Sequence, residues 1–219
     1  MNVKGILFDL DGTLLNTLED LGGAMNAVLA RRGLPAHPIS DYRYFVGEGI
    51  AVLVRRALPA SHHDDATVSA CVNSMSEEYA AHCMDKTTPY PGIAELLSKL
   101  AAKGVKMAVL SNKPDKMTKF LVGAYFPTVA FDCISGAREG IPRKPHPAGA
   151  FDTARVLAIE PEEFLYLGDS KTDMETANAA GMFPVGALWG FRDEGELKNA
   201  GARIIIKAPL ELLKVLEAC

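Results

Sequence analysis

Two patterns of apolar and polar positions divide this chain. From residue 105 onward, short apolar runs of strand length alternate with longer stretches of helical character. The runs cover residues 105–110, 164–167, 184–188 and 203–206, and an earlier one covers 3–8. Helical stretches lie at 93–103, 114–124, 147–157 and 172–180, with Gly104 and Gly181 placed as helix ends. Apolar runs this short are strands buried on both faces. Their alternation with helices predicts an α/β fold: a doubly wound, Rossmann-like parallel sheet covered on both sides.

Residues 16–88 follow the other pattern. No strand is evident there, and helices are predicted at 18–32, 49–58 and 66–82, the first ended by Gly33-Leu34-Pro35. A helical block between the first strand and the next helix–strand unit predicts an inserted all-helical cap at 16–88, carried by a core of residues 1–15 and 89–219. The stretch 87–92, with two prolines and a glycine, is the expected return hinge, paired with a first crossing at 16–19.

Composition narrows the class. The chain has 219 residues, 48% of them hydrophobic, enough for a sizeable core, and a net charge of −4 that argues against nucleic acid as a partner. No apolar run approaches the ~20 residues of a membrane span, and the N-terminus lacks the pattern of a secretion signal. Cys71, Cys83, Cys133 and Cys219 are scattered, without metal-binding spacing or a disulfide framework, so a reducing, cytoplasmic setting is expected.

Four polar segments carry the candidate chemistry. Asp9-Leu10-Asp11-Gly12-Thr13 follows the first strand, and Ser111-Asn112-Lys113 follows the second. Lys144 lies between Arg143 and Pro145-His146-Pro147, and Gly168-Asp169-Ser170-Lys171-Thr172-Asp173 follows the run 164–167. In a parallel sheet the first, second and fourth converge outside the carboxyl ends of the strands, where such folds bind ligands. Each has a plainer reading. An acidic pair after a strand can be a turn, Ser111-Asn112 can cap the following helix, Lys144 can be a solvated loop lysine, and Asp173 can be a first-turn helix acid. His62-His63-Asp64-Asp65 reads as a solvated loop, His146 as structural, and Trp189 and Phe191 as packing residues around Gly190.

Taken in order, the four segments resemble the haloacid dehalogenase-like hydrolase superfamily. Asp9 to Thr13 matches its D-x-D-G-T motif, Ser111 the second, Lys144 the third, and Asp169 with Asp173 the fourth, and the helical insert resembles the family's cap. The resemblance implies Mg²⁺ bound by the Asp9 and Asp169 side chains and the Asp11 carbonyl. It implies Asp9 as nucleophile and Asp11 as acid and base. Thr13, Ser111, Asn112 and Lys144 would hold the phosphoryl group, with Asp173 orienting the metal site or Lys144. Asp11 argues against a dehalogenase, because a halide needs no proton on leaving. Ser111-Asn112-Lys113-Pro114 and the cap segment Val46-Gly47-Glu48-Gly49 are similar to the phosphoglycolate phosphatase-like branch. By that likeness Gly47 and Gly49 would let the cap backbone approach the core site closely, where Glu48 or Arg43 would touch the leaving group. The expected function is a Mg²⁺-dependent phosphomonoesterase acting on a small phosphorylated metabolite such as 2-phosphoglycolate, as monomer or homodimer, without nucleic acid or membrane partners. A sugar-phosphate mutase, a pyrophosphatase and a non-catalytic phosphometabolite-binding regulator are the alternatives.

Overall fold

In the computed structural model, which describes residues 2–218, the first apolar run forms strand β1, Gly5–Phe8, buried at all four positions. Its continuous apolar character follows from its place: it is flanked by a strand on each side and covered on both faces. The chain divides into two compact units, one of residues 1–15 and 89–219 and one of residues 16–88.

Within residues 16–88 four helices form: α1 Leu18–Arg31, α2 Tyr42–Phe45, α3 Ile50–Ala57 and α4 Asp65–His82. Helix α4 packs on both α1 and α3, around buried Met25, Leu29, Tyr42, Val54 and Met75. Asp64 caps α4 by accepting from the Thr67 N–H at 2.9 Å, which starts this helix one residue before the predicted position. Buried Asp20, in the first turn of α1, accepts from the Lys86 and Thr87 N–H groups and from the Thr87 hydroxyl, tying the start of this unit to its end.

The other unit continues as α5 Ile93–Ala102, β2 Lys106–Pro114, α6 Asp115–Tyr125, β3 Cys133–Ala137, α7 Ala148–Leu157 and β4 Phe164–Gly168. It ends with α8 Lys171–Ala180, β5 Phe183–Ala187, α9 Glu194–Asn199, β6 Ile204–Ile206 and α10 Glu211–Ala218. These six strands form one sheet and are all parallel, in the order β3-β2-β1-β4-β5-β6; two-residue strands at Leu15–Asn16 and Thr88–Pro89, where no strand was expected within 16–88, pair separately. From β1 the chain steps outward to β2 and β3, then returns to the other side of β1 to lay down β4. That reversal leaves a crevice at the carboxyl end of β1, the expected ligand position of an open α/β sheet. Helices α5 and α10 pack together, as do α7 and α8, and α7 and α8 cover a core built on Leu7, Leu110, Phe164 and Tyr166.

Two differences from the expected pattern have physical reasons. Strand β3 was not anticipated. It is an edge strand paired only with β2, and Cys133, Ile134 and Ala137 are half-buried, so no continuous apolar run announces it. Strand β2 extends to Pro114, beyond the predicted 105–110, because it pairs again with β3 at Pro114 and Ala137 after a register shift. Ser111, Asn112 and Lys113 are therefore strand residues instead of a loop. The short α2 and the helices α9 and α10 were also unforeseen, and Cys219 lies outside the described residues. No helix among the described residues is long and apolar enough to cross a membrane.

Candidate active site

The end of β1 is shaped by backbone bonds. The Asp9 N–H donates to the Leu167 carbonyl at 2.9 Å, carrying the pairing with β4 one residue past the strand. The N–H groups of Leu14 and Leu15 both turn back to the Leu10 carbonyl at 3.0 Å, closing a tight loop. Gly12 makes that loop possible: its φ is +91°, and a Cβ there would lie 2.2 Å from Asp169 Oδ2. The loop holds Asp9 and Asp11 at the crevice, with Thr13 buried beneath.

Lys144 reaches this point from the β3–α7 connection. Its ammonium donates to Asp9 Oδ1 at 2.8 Å, Asp173 Oδ1 at 2.7 Å and the Leu110 carbonyl at 2.9 Å, so all three of its protons are used. Its backbone is clamped by Asn112, whose Oδ1 accepts from the Lys144 N–H and whose Nδ2 donates to the Lys144 carbonyl, both at 2.9 Å. The next peptide bond, Lys144–Pro145, is cis. The Ser111 hydroxyl accepts from the Lys113 N–H at 3.2 Å. Helix α6 begins at Asp115 without a side-chain cap, so neither Ser111 nor Asn112 serves it in that way.

Asp169 follows β4. Its Oδ2 accepts from the Phe191 N–H at 2.7 Å, and its Oδ1 makes a long contact of 3.4 Å with the Thr13 hydroxyl. The segment 189–191 presses against it: a Cβ on Gly190 would stand 2.3 Å from Asp169 Cβ and 2.4 Å from the Gly12 carbonyl. Trp189 donates through Nε1 to the Thr13 carbonyl at 3.0 Å. Asp173 combines the two readings open to it. Its Oδ2 accepts from the Ser170 N–H and hydroxyl, completing the capping box of α8, while its Oδ1 faces Lys144.

Asp11 stands apart from this cluster. Its carboxylate receives Lys113 Nζ on both oxygens, at 2.7 and 2.8 Å, with both side chains largely buried. In the sequence Lys113 stands out only as part of the Ser111-Asn112-Lys113-Pro114 motif, although a second acid calls for a second cation. Gly190, Phe191 and Tyr166, whose hydroxyl lies 3.4 Å from Asp173 Oδ1, were likewise not assigned to the site, although glycine between two aromatic residues was a signal. Gly47 and Glu48 lie in the helical unit. Gly47 and Gly49 have φ of 120° and 93°, and Glu48 pairs with Arg56 of α3.

The electrostatics follow from burial. Asp9 is pushed up to about 7, first by burial and next by the Asp173 charge, against the opposing pull of Lys144. Asp169 is held well above the carboxylate range by burial, then by Asp173 and Asp9, with the Phe191 N–H and Arg192 opposing. Burial disfavours the Lys144 ammonium, yet Asp173 and Asp9 outweigh it and raise its pKa well above the ordinary lysine value. Asp9, Asp169 and Asp173 bring carboxylate oxygens within 4.8 Å of one another. Asp173 spends both oxygens on Lys144 and Ser170, which leaves Asp9 Oδ2 and Asp169 Oδ1 as the least engaged donors. Crowded, buried, all-oxygen donors with one lysine among them fit a hard divalent cation.

Comparison with known proteins agrees with this architecture. Residues 6–187 match the family described as haloacid dehalogenase-like hydrolase. Phosphoglycolate phosphatase of Caulobacter vibrioides is 33% identical over 218 residues, covering 98% of this chain and 91% of the relative. Phosphoglycolate phosphatase 1 of Pseudomonas aeruginosa is 33% identical over 213 residues, covering 95% of this chain and 78% of the relative. The crystal structure of a predicted phosphoglycolate phosphatase from Haemophilus somnus has a TM-score of 0.91 at 27% identity, covering 98% of each chain. On the match of fold and of most of its length, this chain belongs to the haloacid dehalogenase-like hydrolases.

Proposed function

We propose that this phosphatase hydrolyses a small phosphate monoester, 2-phosphoglycolate first among them, through a phosphorylated Asp9. The observation that supports this most directly is the pairing of buried Asp9 with Lys144 at 2.8 Å, two residues from a second acid that the cluster leaves apart. The substrate is suggested by the relatives in Caulobacter and Pseudomonas, which are named phosphoglycolate phosphatases.

In this reading an Asp9 oxygen attacks phosphorus, forming a new P–O bond while the bond to the leaving alcohol breaks. For this step Asp11 carries a proton on one oxygen, the other still accepting from Lys113, and gives that proton to the departing oxygen. Asp11 then takes a proton from the water that attacks the phosphorylated Asp9, and orthophosphate leaves. Lys144, held by Asn112 and Asp173, presents positive charge to the transferring group. Ser111 and Thr13 offer hydroxyl donors beside it. Asp173 acts as a positioning residue for Lys144. Mg²⁺ bound by Asp9, Asp169 and the Asp11 carbonyl would supply charge neutralisation for a polyanionic substrate and its attacking carboxylate.

Phosphate release measured over 2-phosphoglycolate, sugar phosphates, nucleotides and pyrophosphate tests the reading. Turnover is expected with Mg²⁺ and to be greatest for 2-phosphoglycolate, and Asp9→Asn should abolish it. Wild-type rates in that variant would remove Asp9 as nucleophile. Preference for pyrophosphate, or isomerisation of a sugar phosphate without net phosphate release, would replace the substrate assignment while leaving the core chemistry in place.

A further inference from the structure

We infer that Lys113 is a positioning residue that holds the Asp11 carboxylate where it exchanges protons with the leaving group and with water; this rests on the acid–base role proposed for Asp11. Asp11 lies on a loop beyond the end of its strand, and a carboxylate there has rotational freedom unless something fixes it. Lys113 Nζ meets both of its oxygens, at 2.7 and 2.8 Å, and the two side chains are only 5% and 12% exposed. Two contacts from one ammonium set the direction of the carboxylate as well as its distance.

Lys113 is itself rigidly mounted. Its N–H donates to the Ser111 hydroxyl at 3.2 Å, and its carbonyl accepts from the Thr118 hydroxyl at 3.2 Å. Gly136 of β3 approaches so closely that a Cβ there would be 2.6 Å from the Lys113 carbonyl oxygen. Lys113 is therefore locked between β2, the start of α6 and the edge strand, and Asp11 is locked to Lys113. The site's two ammonium groups divide their work: Lys144 serves Asp9 and Asp173, whereas Lys113 serves Asp11. An error of about 1 Å in the placement of a reacting group costs on the order of 100-fold in rate, so loss of this anchor should be visible in turnover.

A double-mutant cycle tests the inference. Wild type, Lys113→Met, Asp11→Asn and the double variant are assayed by steady-state phosphate release over a panel of phosphate monoesters with Mg²⁺. Lys113→Met is expected to lower kcat at least tenfold with KM changed less than about threefold, and Lys113→Arg should recover part of the loss. The double variant should be no slower than Asp11→Asn alone, within about twofold, because Lys113 has nothing left to position. Multiplying losses in the double variant, or a KM effect without a kcat effect, would show Lys113 acting on its own and overturn the inference. If Asp11→Asn keeps wild-type turnover, the acid–base reading fails and this inference falls with it. If Asp11→Asn is impaired while Lys113→Met is not, only this inference fails. Should Lys113→Met not fold, Lys113→Gln replaces it in the same cycle, with the same outcomes.

Discussion

Replacing Asp173 by asparagine probes how the acceptor geometry at the start of α8 sustains the site. Asp173 is fully buried, and four donors converge on its two oxygens: Lys144 and the Tyr166 hydroxyl on Oδ1, the Ser170 N–H and hydroxyl on Oδ2. An amide of the same shape has one oxygen and one NH₂. Turned toward Lys144, the NH₂ would face an ammonium, so it turns toward Ser170. The serine hydroxyl can then accept, but the Ser170 N–H loses its partner and α8 its capping box, at about 0.5–2 kcal/mol. Lys144 exchanges a carboxylate for a neutral oxygen, a further loss of about 1 kcal/mol. Against these, removing the Asp173 charge relieves Asp9 and Asp169, both of which it pushes up. Relief of one pKa unit amounts to about 1.4 kcal/mol. The net destabilisation without a cation is then roughly 0–2 kcal/mol, or a melting temperature up to about 8 °C lower for a chain of this length. With Mg²⁺ bound the carboxylate repulsion is already neutralised, the relief disappears, and the loss grows to roughly 1.5–3 kcal/mol. Thermal melts of both proteins, followed by circular dichroism with and without Mg²⁺, measure the two gaps. A gap that is smaller with Mg²⁺ than without, or absent in both conditions, would refute this account of Asp173.

The same carboxylates set a pH dependence. Asp9 has a folded pKa near 7 against an ordinary value of 3.8, so between these limits the folded state holds more protons than the unfolded one. Without divalent cation, the contribution of Asp9 to stability is therefore greatest below about pH 4 and is lost as pH rises toward 7; Mg²⁺ added near pH 7.5 should raise the melting temperature and release protons. A cation-free melt in which site-neutral variants and wild type show the same slope over this window, with no Mg²⁺ shift, would contradict it; Asp9→Asn serves as the reference. Gly190→Ala places a methyl group 2.3 Å from Asp169 Cβ and 2.4 Å from the Gly12 carbonyl. The segment must shift, at about 1–3 kcal/mol, and the Mg²⁺ concentration for half-maximal phosphate release should rise several-fold. An unchanged Mg²⁺ titration would show that this segment does not shape the Asp169 site.

Much of the fold is legible in the chain because burial leaves a local trace. Residues 6–8 and 164–167 are continuously apolar because β1 and β4 sit inside a parallel sheet, each with a neighbour on both sides. Gly181 ends α8 with φ of 75°, a conformation glycine adopts without steric cost, so the helix end is written at one position. The order of the polar segments at strand ends likewise points to one crevice, since a parallel sheet brings its carboxyl ends together. Edge strand β3 leaves no such trace for the converse reason: its residues Cys133, Ile134 and Ala137 are half-buried, so no continuous apolar run marks it.

Which side chains meet is another matter. Lys113 and Asp11 are 102 positions apart, and Lys144 and Asp9 are 135 apart. Local periodicity reports which face of an element is buried, not which element lies beside it. The partition of two lysines among four acids depends on strand order, on the register shift that carries β2 past Leu110, and on the cross-chain clamp by Asn112. The chain by itself determined the layers, the strand ends and the chemical types gathered there. Only the tertiary structure decided that Asp9 and Asp173 share one ammonium while Asp11 has another, because charge pairing in a buried site is settled by distances of a few ångströms that no local pattern encodes.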